Sequence, residues 1–380
     1  MIVNFYERYQ PKDQTRFLED ALTDGFLSTD GKYTSLLKAH FNQSAGIGNM
    51  LFTPSATAAL ELSVQLLGLM PGDEVILPSY NFPSAANAVI KYGGVPVLCD
   101  VDPGTKNISL EDAASRISKK TRAILPTHYG GVSCDMDRLM ELAQSYDLAV
   151  IEDAAQAVHS AYHGVPLGSI GNFGAYSFHH TKNFSCGEGG AFLCKDPSRM
   201  DLAEMLRDNG TDKAQFQKQK VSSYSWQCAG SNYMMSAACS SLLYAQLLEH
   251  KRITAKRRAV SDHYNGLLSG EAEKLSGGIK PMKIPRYSTP NYHIYYVDCR
   301  DYEMREAVRK GMLEDGIDVR THFVPLHLSG YGRALGYEAH DFPGSLSAYE
   351  TILRLPIHTE MTESDCEAVI RSLLKRAGVA

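Results

Sequence analysis

From residue 55 onward, segments with apolar residues at helical spacing alternate with short apolar runs bounded by turn residues. SATAALELSVQLLG (55–68) repeats Ala, Leu and Val every three or four positions, and Ser55 after Pro54 predicts the N-cap of that helix. DEVILP (73–78) reads as a short buried strand, SAANAVIKYG as a helix ended by Gly93, and VPVLCDVD as another strand. TRAILPTHY (121–129), MDRLMELAQSYD (136–147) and LAVIED (148–153) predict a strand–helix–strand unit with Asp153 at the carboxyl end of its second strand. GAYSF and GGAFLCKD predict two adjacent strands flanking SFHHTKNFSCGEGG (177–190). This alternation predicts an α/β domain built on a largely parallel sheet covered on both faces.

Beyond residue 230 the pattern changes. Residues 231–268 are helix-compatible throughout, and 276–291 (SGGIKPMKIPRYSTPN) reads as a loop from its Gly, Pro and Ser content. YHIYYVDC alternates like a strand, while REAVRKGMLEDG and ESDCEAVIRSLLKRAG carry helical spacing. The expected division is a large domain over 1–250, including an N-terminal arm, and a small α+β domain over 251–380.

Composition narrows the partners. The formal charge of −5 lacks the basic excess that nucleic acid or an anionic membrane surface demands. The opening MIVNFYERYQPKDQ is charged from Glu7 onward, so no secretory leader is expected, and no run approaches the ~18 consecutive apolar residues of a membrane span. Eight cysteines are scattered without a CxxC, which reads as reduced thiols in a cytoplasmic protein and predicts no metal site.

Ligands of open α/β sheets sit at the carboxyl ends of the strands, and four features project there. The helix opening TPSATAA offers free backbone N–H groups at Ala56 and Thr57, which suits a phosphate; Ser55 and Thr57 serve equally as plain caps. Asp153 in VIEDAAQ needs a cationic or N–H partner, and either a protonated pyridine nitrogen or the following helix turn meets that need. Gln156 faces the same way. Phe82 in PSYNFPSA offers either a core aromatic or a ring to stack on a flat cofactor. Lys182 stands five residues after Ser177 and five before the GEGG turn, and offers either a solvated surface cation or an amine to condense with an aromatic aldehyde whose phosphate lies nearby. Aldehyde, pyridine and phosphate together describe pyridoxal 5'-phosphate.

SATAAL, GDEVILPSYNFPSAANAV, VIEDAAQAVHSAYHG and SFHHTKNFSCGEGGA, in that order, resemble the pyridoxal-phosphate-dependent nucleotide-sugar aminotransferases of the DegT/DnrJ/EryC1/StrS type over nearly the whole chain. The resemblance implies the fold-type I, aspartate aminotransferase-like architecture. It implies that Lys182 carries the cofactor and moves the proton, that Asp153 pairs with the pyridine nitrogen, and that Gln156 and Phe82 contact the ring. Ala56, Thr57 and Ser177 would hold the phosphate. Asn232 would reach the phosphate of a neighbouring subunit in a homodimer with composite sites, although Met234 and Ala237 replace an arginine and an acidic residue that many members carry beyond that Asn. Dehydratases of the family replace the lysine by histidine, so Lys182 favours transamination. THYGGVSCDMD, RDNGTDKAQF, YSWQCAGSNYMMS and VPLH are similar to the branch that aminates C4 of dTDP-linked sugars in cell-surface polysaccharide synthesis. That branch implies transfer from L-glutamate to dTDP-4-keto-6-deoxy-D-glucose, giving the 4-amino-4,6-dideoxy-D-galactose product. His180, His322 and His327 are the expected sugar contacts, and Arg207 and Lys213 the expected diphosphate contacts. The same chemistry on a UDP- or GDP-linked sugar or at C3, and a cofactor-binding sensor without turnover, stand as alternatives. A nicotinamide oxidoreductase is disfavoured, because TPSATAAL does not supply G-x-G-x-x-G.

Overall fold

The computed structural model describes residues 2–25, 27–270 and 278–378. Its first nine strands are β1 (Met50–Thr53), β2 (Glu74–Pro78), β3 (Val95–Cys99), β4 (Thr121–Ile124), β5 (Ala149–Asp153), β6 (Ala161–Tyr162), β7 (Val165–Pro166), β8 (Phe173–Ser177) and β9 (Gly190–Cys194). Seven of them form one sheet in the order β1-β9-β8-β5-β4-β2-β3. The pairings from β8 through β5, β4 and β2 to β3 are parallel, and β9 runs antiparallel to both β8 and β1. This is the expected α/β fold with a mostly parallel sheet.

The strands show why both faces are covered. Leu51, Val75, Leu77, Ala123, Ile151 and Ala175 feed one core, while Phe52, Ile76, Ile124, Val150 and Tyr176 feed the other. Neighbouring residues thus point to opposite faces, and both faces are apolar because helices cover both. The helix Ala56–Leu67, capped by Ser55 Oγ accepting from the Ala58 amide, packs on the first of these cores. A Cβ at Gly190 would lie 2.3 Å from the Ser55 carbonyl carbon and 2.5 Å from the Ala56 nitrogen. Only glycine at the start of β9 lets the N-terminus of that helix sit against the sheet.

β5 ends in two carboxylates that the strand alternation separates. Glu152 is fully buried and accepts from the amides of Gly168 (2.8 Å), Ile170 (2.7 Å) and Gly171 (2.7 Å). His128 Nε2 lies 2.9 Å from the same carboxylate and donates to it, and His128 Nδ1 accepts from the Cys134 amide at 3.2 Å. Glu152 therefore ties β5 to the turn before β8 and to the segment after β4. Asp153 points the other way.

The C-terminal part adds β10 (Ile279–Pro281), β11 (Ser288–Thr289), β12 (Tyr295–Cys299) and β13 (Ile352–Leu355), with an antiparallel sheet in the order β10-β12-β13. Helices His250–Gly270, Tyr302–Glu314 and Glu363–Arg376 pack on it around Tyr264, Val297, Val308, Leu353 and Leu373. Two expectations are corrected. The stretch 276–291, read as loop, contains β10 and β11; β10 is an edge strand, where Pro281 loses no ladder bond, and residues 276 and 277 lie outside the described residues. The helix-compatible stretch 231–268 contains two helices, Ala237–Leu248 and His250–Gly270, that meet at Glu249. The N-terminal residues grouped by sequence with the large domain touch the small one: Val3 pairs with Ile317 and joins its apolar cluster. Among the described residues no helix is long and apolar enough to cross a membrane.

Replacing Glu152 by Gln puts an NH2 group against donors that have no other acceptor among the described residues. We expect Glu152→Gln to lower the unfolding free energy by about 3 kcal/mol, read from denaturant unfolding. A loss well under about 1 kcal/mol would show that the turn holds without this carboxylate.

Candidate active site

A cavity of about 760 Å³ opens at the carboxyl ends of β2, β4, β5 and β8, and Ala56, Thr57, Phe82, Asp153, Gln156, Ser177 and Lys182 line it together with His180 and His322. Each wall has a local cause. At the helix N-terminus, Ser55 accepts from the Ala58 amide at 3.1 Å through Oγ and from the Ala59 amide at 3.2 Å through its carbonyl. The Ala56 and Thr57 amides precede those and face the cavity, carrying the positive end of the helix dipole. Ser177, buried at the end of β8, and Gly189 border the same corner.

Asp153 is 4% exposed, and its carboxylate accepts from the Ala155 amide at 3.1 Å. Burial raises its carboxyl above the usual range, an effect opposed by the Ala155 amide and the nearby Lys182 ammonium. Lys182 sits just beyond β8. Burial, only partly offset by Asp153 and reinforced by Arg354, pulls its amine down to about 8. About a tenth of the amine is thus unprotonated and nucleophilic at pH 7, against well under a thousandth at the ordinary value.

The remaining expected residues form the rim. Gln156 Oε1 accepts from the Gly130 amide at 2.7 Å, which fixes its side chain beside Asp153. Phe82 is 58% exposed, an uncovered ring with Phe323 at 6.3 Å between centroids. His322 Nδ1 lies 2.9 Å from Tyr129 Oη, and its ring stacks on Phe323 at 3.9 Å. The backbone carbonyl of His180 accepts from Tyr6 Oη.

Four other expected residues are not brought to this cavity. His327 is fully buried with Nδ1 2.6 Å from Ser79 Oγ, so it braces the segment behind the wall. Arg207 is also buried, bonded to the Asp30 carboxylate and, at 3.3 Å, to the Phe52 carbonyl. Lys213 stands 3.9 Å from Asp208 and outside the lining. Asn232 is exposed, bridging to the Asp208 backbone, and does not line the cavity of its own chain.

Sequence reading missed the wall supplied by the small domain. Arg257, His293, Arg320 and Arg354 line the cavity, as do Asn4, Phe5 and Tyr6. Arg257 donates to the carbonyls of Tyr292 (2.8 Å) and His293 (2.6 Å), and burial lowers its guanidinium to about 10. Arg354 Nε has no hydrogen-bond partner among the described residues. The Arg320 and Arg354 guanidiniums lie 5.0 and 4.8 Å from the centre of the Phe5 ring. None of these arginines belongs to a local motif; only YHIYYVDC, as a strand, gave a signal that this region packs toward the site.

The residues fit pyridoxal phosphate. A helix N-terminus with free amides meets a phosphate, a buried carboxylate with spare acceptor capacity meets a pyridinium, an uncovered aromatic meets a ring face, and a partly deprotonated lysine meets an aldehyde. The profile of the DegT/DnrJ/EryC1/StrS aminotransferase family matches residues 9–374. The chain is 31% identical over 372 residues to the spore coat polysaccharide biosynthesis protein SpsC of Bacillus subtilis, covering 95% of this chain and 94% of that one. It is 32% identical over 360 residues to the dTDP-4-dehydro-2,3,6-trideoxy-D-glucose 4-aminotransferase of Saccharopolyspora spinosa, covering 92% and 91%. The PLP form of a sugar aminotransferase from Streptococcus pneumoniae shares the fold with a TM-score of 0.90 over 100% of both chains at 24% identity.

The electrostatics are directly testable. In cofactor-free protein, acylation of Lys182 by acetic anhydride, followed by peptide mass spectrometry, should show a midpoint near pH 8. Asp153→Asn removes the anion that raises this value and should move the midpoint lower; Arg354→Gln removes a cation and should move it higher. A midpoint near the ordinary 10.5 in all three proteins would mean that Lys182 is solvated.

Proposed function

We propose, of a chain that belongs to the DegT/DnrJ/EryC1/StrS aminotransferase family and depends on pyridoxal phosphate, that it aminates C4 of dTDP-4-keto-6-deoxy-D-glucose. L-Glutamate is the donor and dTDP-4-amino-4,6-dideoxy-D-galactose the product, made in the cytoplasm for a cell-surface polysaccharide. The observation that carries the reading is the partly deprotonated Lys182 facing Asp153 in a cavity whose other wall is cationic.

When bound, pyridoxal phosphate supplies an aldehyde that accepts an amino group and a ring that withdraws electrons. Lys182 Nζ attaches the cofactor and, once released, moves the proton between cofactor and substrate carbon. Asp153 holds a proton on the pyridine nitrogen, and its burial keeps that ion pair dry. The Ala56 and Thr57 amides with the Ser177 hydroxyl bind the phosphate, Gln156 orients the ring and Phe82 covers one face. Asn232 completes the phosphate site of the opposite protomer in a homodimer, consistent with its exposure outside its own cavity.

The cationic wall fits anionic substrates. Arg257 and Arg354 are buried beyond their hydrogen-bonding needs and lack a carboxylate within salt-bridge distance among the described residues, so a donor carboxylate or a sugar diphosphate offsets charge already paid for in desolvation. His180 and His322 stand at the rim where the sugar enters. Binding energy from the nucleotide diphosphate, remote from C4, positions the ketone, so the free keto-sugar should react poorly.

Glutamate should bleach the yellow enzyme, and dTDP-4-keto-6-deoxyglucose should restore the colour with the galacto amine as product. Lys182→Ala should lose covalent attachment after borohydride and turn over at least about 100-fold more slowly. An amine at C3, or faster use of a UDP- or GDP-linked keto-sugar, would move the assignment to another member of the family's substrate range.

A further inference from the structure

Outside the active site, three histidines from three distant segments meet on one side of the large domain. His40 lies in the helix Lys32–Ala45, His159 follows the turn after β5, and His250 opens the helix His250–Gly270. One ring nitrogen from each lies within 4.8 Å of the others. The rings of His159 and His250 are 4.4 Å apart between centroids, His40 and His250 5.0 Å, and His40 and His159 5.9 Å. All three are partly buried.

Two observations distinguish this cluster from packed core histidines. The Nε2 atoms of His40 and His159 are buried and have no hydrogen-bond partner among the described residues. Such orphans are rare, because a buried polar atom without a partner costs free energy. His250 is oriented from behind: its Nδ1 lies 2.8 Å from the Leu247 carbonyl, which places the proton on Nδ1 and leaves the Nε2 lone pair free. A backbone carbonyl holding the far nitrogen is the arrangement that orients metal-bound imidazoles. The backbone adds to this, since His159 holds φ at 62°, a left-handed conformation uncommon for any residue but glycine.

We propose that His40, His159 and His250 form a three-imidazole site for a divalent transition-metal ion, zinc first, with water as the fourth ligand. Three neutral nitrogens and no carboxylate suit zinc and exclude magnesium or calcium, which take oxygen ligands. A tetrahedral ion draws its nitrogens to about 3.4 Å apart, so the rings close slightly on binding. The expectation of no metal rested on cysteine spacing, and that spacing carries no information about imidazoles brought together by the fold. The ion would pin the helix Lys32–Ala45 and the start of helix His250–Gly270 to the segment three residues beyond Gln156. Bound there, it would stiffen one wall of the active site.

The test uses the full chain without an affinity tag, stripped of metal and titrated with zinc chloride by calorimetry at pH 7.5. One ion per chain is expected, with a rise in the thermal midpoint, and His40→Gln/His250→Gln should bind at least about tenfold more weakly with no such rise. No uptake by the wild type, or equal uptake by the double variant, overturns the proposal. Cobalt substitution and zinc-edge X-ray absorption of the wild type decide the ligands even if the variant fails to fold. A nitrogen shell with imidazole scattering and no thiolate-to-cobalt charge-transfer band supports the site; a sulfur shell, drawn from the free cysteines, overturns it.

Discussion

Two carboxylates side by side on β5 do opposite work, and the strand's period of two makes this possible. Glu152 turns inward to three backbone amides and a histidine, locking the strand to the turn that precedes β8. Asp153 is thereby delivered, with almost no freedom, to the floor of the cavity. A one-residue slip of β5 would turn each to the opposite face and take Asp153 out of the cavity. The site depends on that register before it depends on any single catalytic group.

The second constraint is charge in a poorly solvated space. Asp153 resists ionisation, Lys182 resists protonation, and Arg257 and Arg354 carry charge that burial disfavours. Each is costly alone. A phosphate on the helix N-terminus, a pyridinium beside Asp153 and an anionic substrate beside the arginines offset these costs together, so the cavity is better satisfied filled than empty. The same reasoning explains why the lysine stands at this strand end: the surroundings that make it costly as a cation make it useful as an amine.

How much of this was legible depended on how local each signal is. The helix cap at Ser55, the strand ending in Asp153, and the lysine between Ser177 and the glycine turn are written in contiguous residues, and all converge on one cavity. Glu152 was invisible, because an acidic residue in a strand gives no hint of which turn will supply its donors. Arg257, Arg320 and Arg354 were missed for a related reason: each is separated from the motifs by long stretches of chain, and only the packing of the small domain brings them across. His327 and Arg207 erred in the other direction. A histidine or arginine in a conspicuous stretch looks functional, but partners far along the chain, Ser79 for one and Asp30 for the other, claim it for structure.

The N-terminal residues carry a last consequence, for the order in which the molecule becomes itself. Asn4, Phe5 and Tyr6 share the cavity wall with Arg320 and Arg354, and Phe5 lies against both of those guanidiniums. Segments separated by most of the sequence thus meet in one pocket. Their loop-closure entropy must be met before the contact returns anything, so this wall forms late in folding. A folding chain can complete the central sheet and still lack this wall. Cofactor capture then reports the last stage of folding.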